Sequence, residues 1–190
     1  MHWQAVAFRT GVLAVVPRCV LALFTAAELR KVWGGEPIGP RQLADWRAHT
    51  VYKFGLSKES VEARWFWAVL EVESEDFRAS VLKFATGTQR APVDGFANLR
   101  KGEKDGARCA FTLFGTGTDV GAVDARDEQA QIQALSELSV ATGMGEGGTT
   151  FRAQTCINTL RLPPAANFED RAHFARMLRL STLSQAIDQT

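Results

Sequence analysis

The chain has 190 residues, 46% hydrophobic and 23% charged, with a formal net charge of +1. That length holds one good core, or one domain and part of another, and the near-zero charge excludes the broad basic field of a nucleic-acid binder. No apolar run approaches the roughly 18 residues of a membrane span, and Met1-His2-Trp3-Gln4 opens no secretory leader, so the expectation is an intracellular protein, cytoplasmic with the nucleus left open.

In chain order, residues 4–16 read as a helix with Val6, Leu13 and Val16 among its apolar positions, interrupted by Pro17. Thr25, with Glu28 three residues on, has the spacing of a capping box for a second helix up to Trp33. Gly34-Gly35-Glu36-Pro37-Ile38-Gly39-Pro40 cannot continue a helix and is the best linker or hinge in the chain. Pro40 is placed to start a third helix, Arg41 to His49. Val61 to Val72, centred on Trp65-Phe66-Trp67, is apolar enough to be a helix packed on more than one side. Phe77, Val81, Phe84 and Ala85 then share one face of a helix that ends at Thr86-Gly87-Thr88.

Cys109, Phe111 and Leu113 alternate as in a half-buried strand. Residues 125–141 carry Ile132, Leu135 and Leu138 at helical spacing, a weak amphipathic pattern. A glycine-rich flexible loop follows, from Gly143 to Gly148, and leads to Phe151. Cys156 to Leu162 reads as a short strand stopped by Pro163-Pro164. Asn167 is a candidate cap for the last helix, with Glu169 and Asp170 suited to its dipole and Phe168, Ala172 and Ala175 facing the core. Helices first, then mixed strands and helices, give an α+β class.

The three cysteines, Cys19, Cys109 and Cys156, are far apart and in no CxxC pair, so neither a disulfide framework nor a zinc site is expected, and no cofactor. In a reducing compartment they are free thiols, and the ordinary role of each is a small buried hydrophobe.

Three segments carry a resemblance. Arg64-Trp65-Phe66-Trp67-Ala68-Val69-Leu70-Glu71 is similar to the WFW-x-x-(I/V/L) helix of the HECT-type ubiquitin ligases. Leu82-Lys83-Phe84-Ala85-Thr86-Gly87-Thr88-Gln89-Arg90-Ala91-Pro92-Val93-Asp94-Gly95-Phe96 resembles that family's L-x-F-x-T-G-x-x-R-x-P-x-x-G-(F/L). Ala153-Gln154-Thr155-Cys156-Ile157-Asn158-Thr159-Leu160-Arg161-Leu162-Pro163-Pro164 resembles the segment around its catalytic cysteine. Leu23-Phe24, Glu28-Leu29, Gly34 and His49-Thr50-Val51-Tyr52 match in order.

The resemblance implies two lobes: residues 1–33 as the tail of a large lobe, 34–40 as the hinge, and 41–190 as a mobile small lobe with an insertion near 115–150. It implies that ubiquitin passes from a conjugating enzyme to Cys156 as a thioester, and then to a substrate lysine. The conjugating-enzyme site would lie upstream of Met1. A thiolate is strongly nucleophilic and thioester exchange is near energy-neutral, so such a site needs positioning more than a strong base. Thr155 and Asn158 are candidates to orient the thiol or the developing oxyanion. Asn158 is equally a strand-edge side chain bonding its own backbone. Gln154 stands in the same motif. Arg90 matches a family arginine beside the catalytic loop and either depresses the thiol pKa or braces the loop.

Ile157 and Ala165 replace common aromatics, Phe151-Arg152 stands where Leu-Pro is frequent, and the last residues lack the family's phenylalanine. The competing readings are a degenerate lobe that binds ubiquitin or a partner ligase without turnover, and a thiol hydrolase. The latter needs His2, His49 or His173, all distant in sequence, brought to Cys156.

Overall fold

The computed structural model describes residues 2–99, 110–115 and 148–187. The chain divides into two compact units, Met1–Glu36 and Pro37–Thr190. In the first, α1 spans His2–Val15, α2 Arg18–Leu21 and α3 Ala26–Gly34. Pro17 has no N–H to continue α1 and becomes the N-cap of α2. Thr25 Oγ1 accepts from Glu28 N at 3.2 Å, and Glu28 Oε2 accepts from Thr25 N at 2.7 Å, completing the capping box expected from the spacing. The Thr25 backbone N–H holds the Glu28 carboxyl below its ordinary value. None of residues 3–36 is buried. Trp3, Phe8, Val15, Leu23 and Trp33 are each more than half exposed. The Phe8 and Trp33 rings meet edge to face at 6.1 Å and line, with Val12 and Leu21, an open groove of about 400 Å³.

In the second unit, α4 (Pro40–Ala48), β1 (Val51–Lys53), α5 (Val61–Val72) and α6 (Glu75–Thr86) precede β2 (Thr112–Phe114), β3 (Arg152–Gln154), β4 (Thr159–Arg161) and α7 (Arg171–Ile187). Pro40 opens α4 as expected. The α+β class is borne out: helices surround one four-stranded sheet in the order β1-β2-β4-β3. β1, β2 and β4 run parallel, with Tyr52, Leu113 and Leu160 in register, and β3 is antiparallel to β4. Leu113 and Leu160 are fully buried, and Tyr52 and Ala153 pack against the same core, so this face of the sheet is the inner one.

Trp46 of α4 is the centre of that core. It stacks on Phe96 at 5.3 Å and takes the edges of Phe111 at 5.0 Å and Trp67 at 5.7 Å. The aromatic-rich α5 is buried on two sides, as expected: Phe66 and Trp67 lie in the core, and Trp65, half-buried, meets Phe174 of α7 at 5.8 Å. Ser74 caps α6, and Gly87 ends it in the left-handed region at φ 78, which glycine adopts without strain. Gly95 is needed for a second reason besides its φ of 84: a Cβ there would sit 3.0 Å from Asp45 Oδ2, the atom that accepts from Phe96 N at 2.8 Å. The P-x-x-G-F motif thus ties the loop after α6 to α4.

Arg78 is a buried cation the sequence pattern did not mark. Its Nε donates to Leu70 O at 2.6 Å, one terminal nitrogen to Glu71 O at 3.0 Å and the other to Ile38 O at 3.3 Å. Two of these carbonyls belong to the last turn of α5, where a cation also suits the helix dipole.

Trp67 Nε1 donates to Tyr52 Oη at 2.9 Å. Burial raises the Tyr52 phenol above its ordinary value. The unfolded chain loses this proton first, so the contribution of Tyr52 to stability is complete below about pH 10 and lost as pH rises through the higher folded value. Tyr52 is the single tyrosine of the chain, so ultraviolet titration of the phenolate band should report it alone, ionising above the free-phenol midpoint.

Some local expectations need correction. The strand read over Cys156 to Leu162 begins only at Thr159, because residues 155–157 form a 3₁₀ turn. Asn167 lies in another 3₁₀ turn, Ala165–Asn167, and donates to Gly148 O at 3.0 Å. Asp170 caps α7 instead, accepting from His173 N at 2.7 Å. Ala172 is exposed, and Phe174 and Leu178 carry the core face of α7. Phe111 and Leu113 are buried together as the alternation predicts, but Phe114 is buried too, against Phe54 at 4.8 Å, so the strand is covered on both sides. Cys109 and the helix read over 125–141 lie outside the described residues.

Candidate functional site

β3 and β4 form a hairpin in which Gln154 faces Thr159, Ala153 faces Leu160 and Arg152 faces Arg161. Its connection is the 3₁₀ turn Thr155–Ile157, closed by Asn158 in the left-handed region at φ 52, ψ 44. Asparagine is among the few non-glycine residues that tolerate this conformation. Asn158 is fully buried, and its carbonyl accepts from Thr112 N at 3.0 Å, which bonds the turn to β2. Thr159 Oγ1 donates to Ile157 O at 3.2 Å. α6 also packs on the turn. The sequence therefore produces an exposed thiol, Cys156, on a turn whose neighbours are fixed.

Asn158 is thus a buried turn residue, not a strand-edge one. Asn158→Ala places an ordinary side chain at positive φ and removes a buried amide. We expect a loss of about 2 kcal/mol, with roughly half recovered by Asn158→Gly, which suits the backbone alone. Denaturant midpoints of the two variants check this.

Of the other residues singled out, Thr155 is half-buried beside Cys156, and Gln154 is half-buried at the end of β3. Gln154 Oε1 is enclosed with no hydrogen-bond partner among the described residues. Arg90 is exposed in the segment after α6, and among the described residues neither a hydrogen bond nor an ion pair ties it to the hairpin. His49 Nδ1 is engaged by Asp45, 2.9 Å from Oδ1, and His173 Nδ1 accepts from Glu169 N at 3.4 Å. Neither imidazole is presented to Cys156 by these bonds.

A cleft of about 400 Å³ adjoins the turn, with Thr155 in its lining. Phe77, Phe84 and Leu183 supply apolar surface. Ser80, Gln89 and Thr182 add hydrogen-bonding groups, and Lys83 and Arg179 add positive charge. Arg179 pairs with Glu73 and lies 5.8 Å from the centre of the Phe77 ring. Lys83 stands in the Leu82 to Phe96 motif, and Phe77 and Phe84 on the apolar face of α6, but neither pattern shows that this part of α6 borders an open cleft.

The model of the HECT-domain (ubiquitin-transferase) family matches residues 1–185. The E3 ubiquitin-protein ligase NEDD4 of Homo sapiens is 33% identical over 168 residues, which is 88% of this chain and 10% of that protein. The E3 ubiquitin-protein ligase pub1 of Schizosaccharomyces pombe is 29% identical over 184 residues, 97% of this chain and 18% of that protein. The E3 ubiquitin-protein ligase HECW2 of Homo sapiens is 32% identical over 158 residues, 83% of this chain and 8% of that protein. The chain thus spans less than a fifth of the length of these relatives. The match runs through the tryptophan-rich helix, the loop after α6 and the hairpin that carries Cys156, and the chain belongs to the HECT-domain family.

Proposed function

We propose that the chain is the acceptor and transfer part of a ubiquitin-protein ligase, with Cys156 as the residue that carries ubiquitin. The observation that carries this reading is the exposed Cys156 on a turn pinned by Asn158 and α6, inside the segment that resembles the family's catalytic motif.

In the first step the Cys156 thiolate attacks the carbonyl carbon of the thioester between ubiquitin and a conjugating enzyme. The new C–S bond forms as the old one breaks, and the enzyme leaves as its thiolate. In the second step a neutral substrate lysine amine attacks the same carbon. The isopeptide C–N bond forms, Cys156 leaves as thiolate, and the amine gives its proton to water. Both steps exchange an activated acyl group, so the protein's contribution is orientation and access. Gln154, Thr155 and Asn158 orient the turn.

Residues 1–33 are the tail of the large lobe, and their exposed apolar face packs against the remainder of that lobe. Gly34 to Pro40 is the hinge that carries Cys156 between conjugating enzyme and substrate. The partners are ubiquitin, a conjugating enzyme recruited by the upstream part of the domain, and a protein substrate, met in the cytoplasm.

The test is to fuse the chain behind the large lobe of the human NEDD4 relative and supply ubiquitin-charged conjugating enzyme. A ubiquitin adduct that persists on a non-reducing gel and disappears with added thiol is the expected result. No adduct from a folded fusion would overturn the reading and leave a ubiquitin- or partner-binding module.

A further inference from the structure

The cleft beside the turn has a charge character that the transfer reaction as described does not use. Among the described residues its lining contains Lys83 and Arg179 and no carboxylate. Arg179 is already paired with Glu73, whereas Lys83 has no ion pair among the described residues. Phe77 and Phe84 give the same space an apolar wall. A volume of about 400 Å³ suits a few side chains of an extended peptide.

A substrate lysine approaches as a cation, and a basic neighbourhood around it would be repelled by Lys83. An acidic residue near the lysine offsets that repulsion and pairs with the uncommitted ammonium. The cleft reaches Thr155, the residue before Cys156, so a peptide held there lies one residue along the turn from the thiol.

We propose that this cleft receives the acceptor protein, and selects lysines flanked by acidic residues. The proposal rests on Cys156 as the carrier and adds the substrate class to it.

Two labelled peptides, each with one lysine, test it: one has glutamates around the lysine and the other glutamines. Fluorescence polarisation on the uncharged chain reads binding, and discharge of preformed thioester on the fusion reads transfer. The glutamate peptide should bind and discharge about three- to fivefold better, the range of a single partly exposed ion pair. Raised salt should erode the preference. Lys83→Glu should invert it, and the milder Lys83→Gln should abolish it.

Equal behaviour of the two peptides with the wild-type chain overturns the proposal, and so does a preference that survives Lys83→Glu. A Lys83→Glu variant that loses loading from the conjugating enzyme more than it loses discharge assigns the cleft to the donor ubiquitin, and also overturns it. Failure to form any thioester sinks Cys156 as carrier, while polarisation still decides what the cleft binds.

Discussion

Cys156→Ala should abolish the ubiquitin adduct and leave the fold intact. The side chain is exposed, so removing its sulfur should change stability by less than about 0.5 kcal/mol. Acyl transfer should fall at least about a thousandfold, because an alanine methyl group cannot act as a nucleophile. Cys156→Ser is the sharper variant. A serine hydroxyl is a poor nucleophile without an adjacent base, and neither His49 nor His173 is held at the turn to provide one. Any adduct that does form is an oxyester and survives thiol. Cys19 is the control, since it is also a free, exposed cysteine. Cys19→Ala should retain the thiol-sensitive adduct in full. An adduct lost from Cys19→Ala and kept in Cys156→Ala would transfer the role to the wrong unit and refute the assignment.

Arg78→Met should be among the most destabilising single changes in the second unit. Methionine replaces the stem but leaves Leu70 O, Glu71 O and Ile38 O without their donor. Three hydrogen bonds from a charged group are lost, and the carbonyls stay beneath a side chain that was almost fully covered. A cost of about 3 kcal/mol follows, or a fall in melting temperature of roughly 6–12 °C for a unit of this size. Arg78→Lys should rescue little, because one ammonium cannot reproduce the planar fork. Calorimetry or circular dichroism melting checks both variants, and a loss below about 1 kcal/mol would mean the carbonyls are satisfied in another way.

What the sequence disclosed and what it withheld divide along physical lines. Thr25, Pro40 and Gly87 act within one turn of the chain, so their spacing alone located helix ends that the structure then displayed. The aromatic density of Trp65-Phe66-Trp67 announced a two-sided helix because burial follows hydrophobicity. Arg78 gave no such signal: its acceptors are backbone carbonyls, invisible in residue identity, and one of them, Ile38 O, comes from far along the chain. The turn at Cys156 reads as strand because Ile157 and Thr159 are good strand residues. The positive φ of Asn158 outweighed them locally. Family resemblance singled out the cysteine, but the cleft beside it required the packing of α6 against α7, which no single-helix pattern encodes.

The strand order has a kinetic consequence. The hairpin β3–β4 closes over four residues, and α5 and α6 are local, so these pieces can form within microseconds. β2 is different: its three residues pair with β1 and β4, each far away in sequence, and both pairings are parallel. Joining strands that distant has a large loop-closure cost before any ladder forms, which makes this step slow. Insertion of β2 should therefore limit the rate at which the second unit matures, and the amides of Thr112 and Leu162 should be among the last to gain protection in pulsed hydrogen exchange during refolding. The hairpin that presents Cys156 would therefore exist before the strand that anchors it.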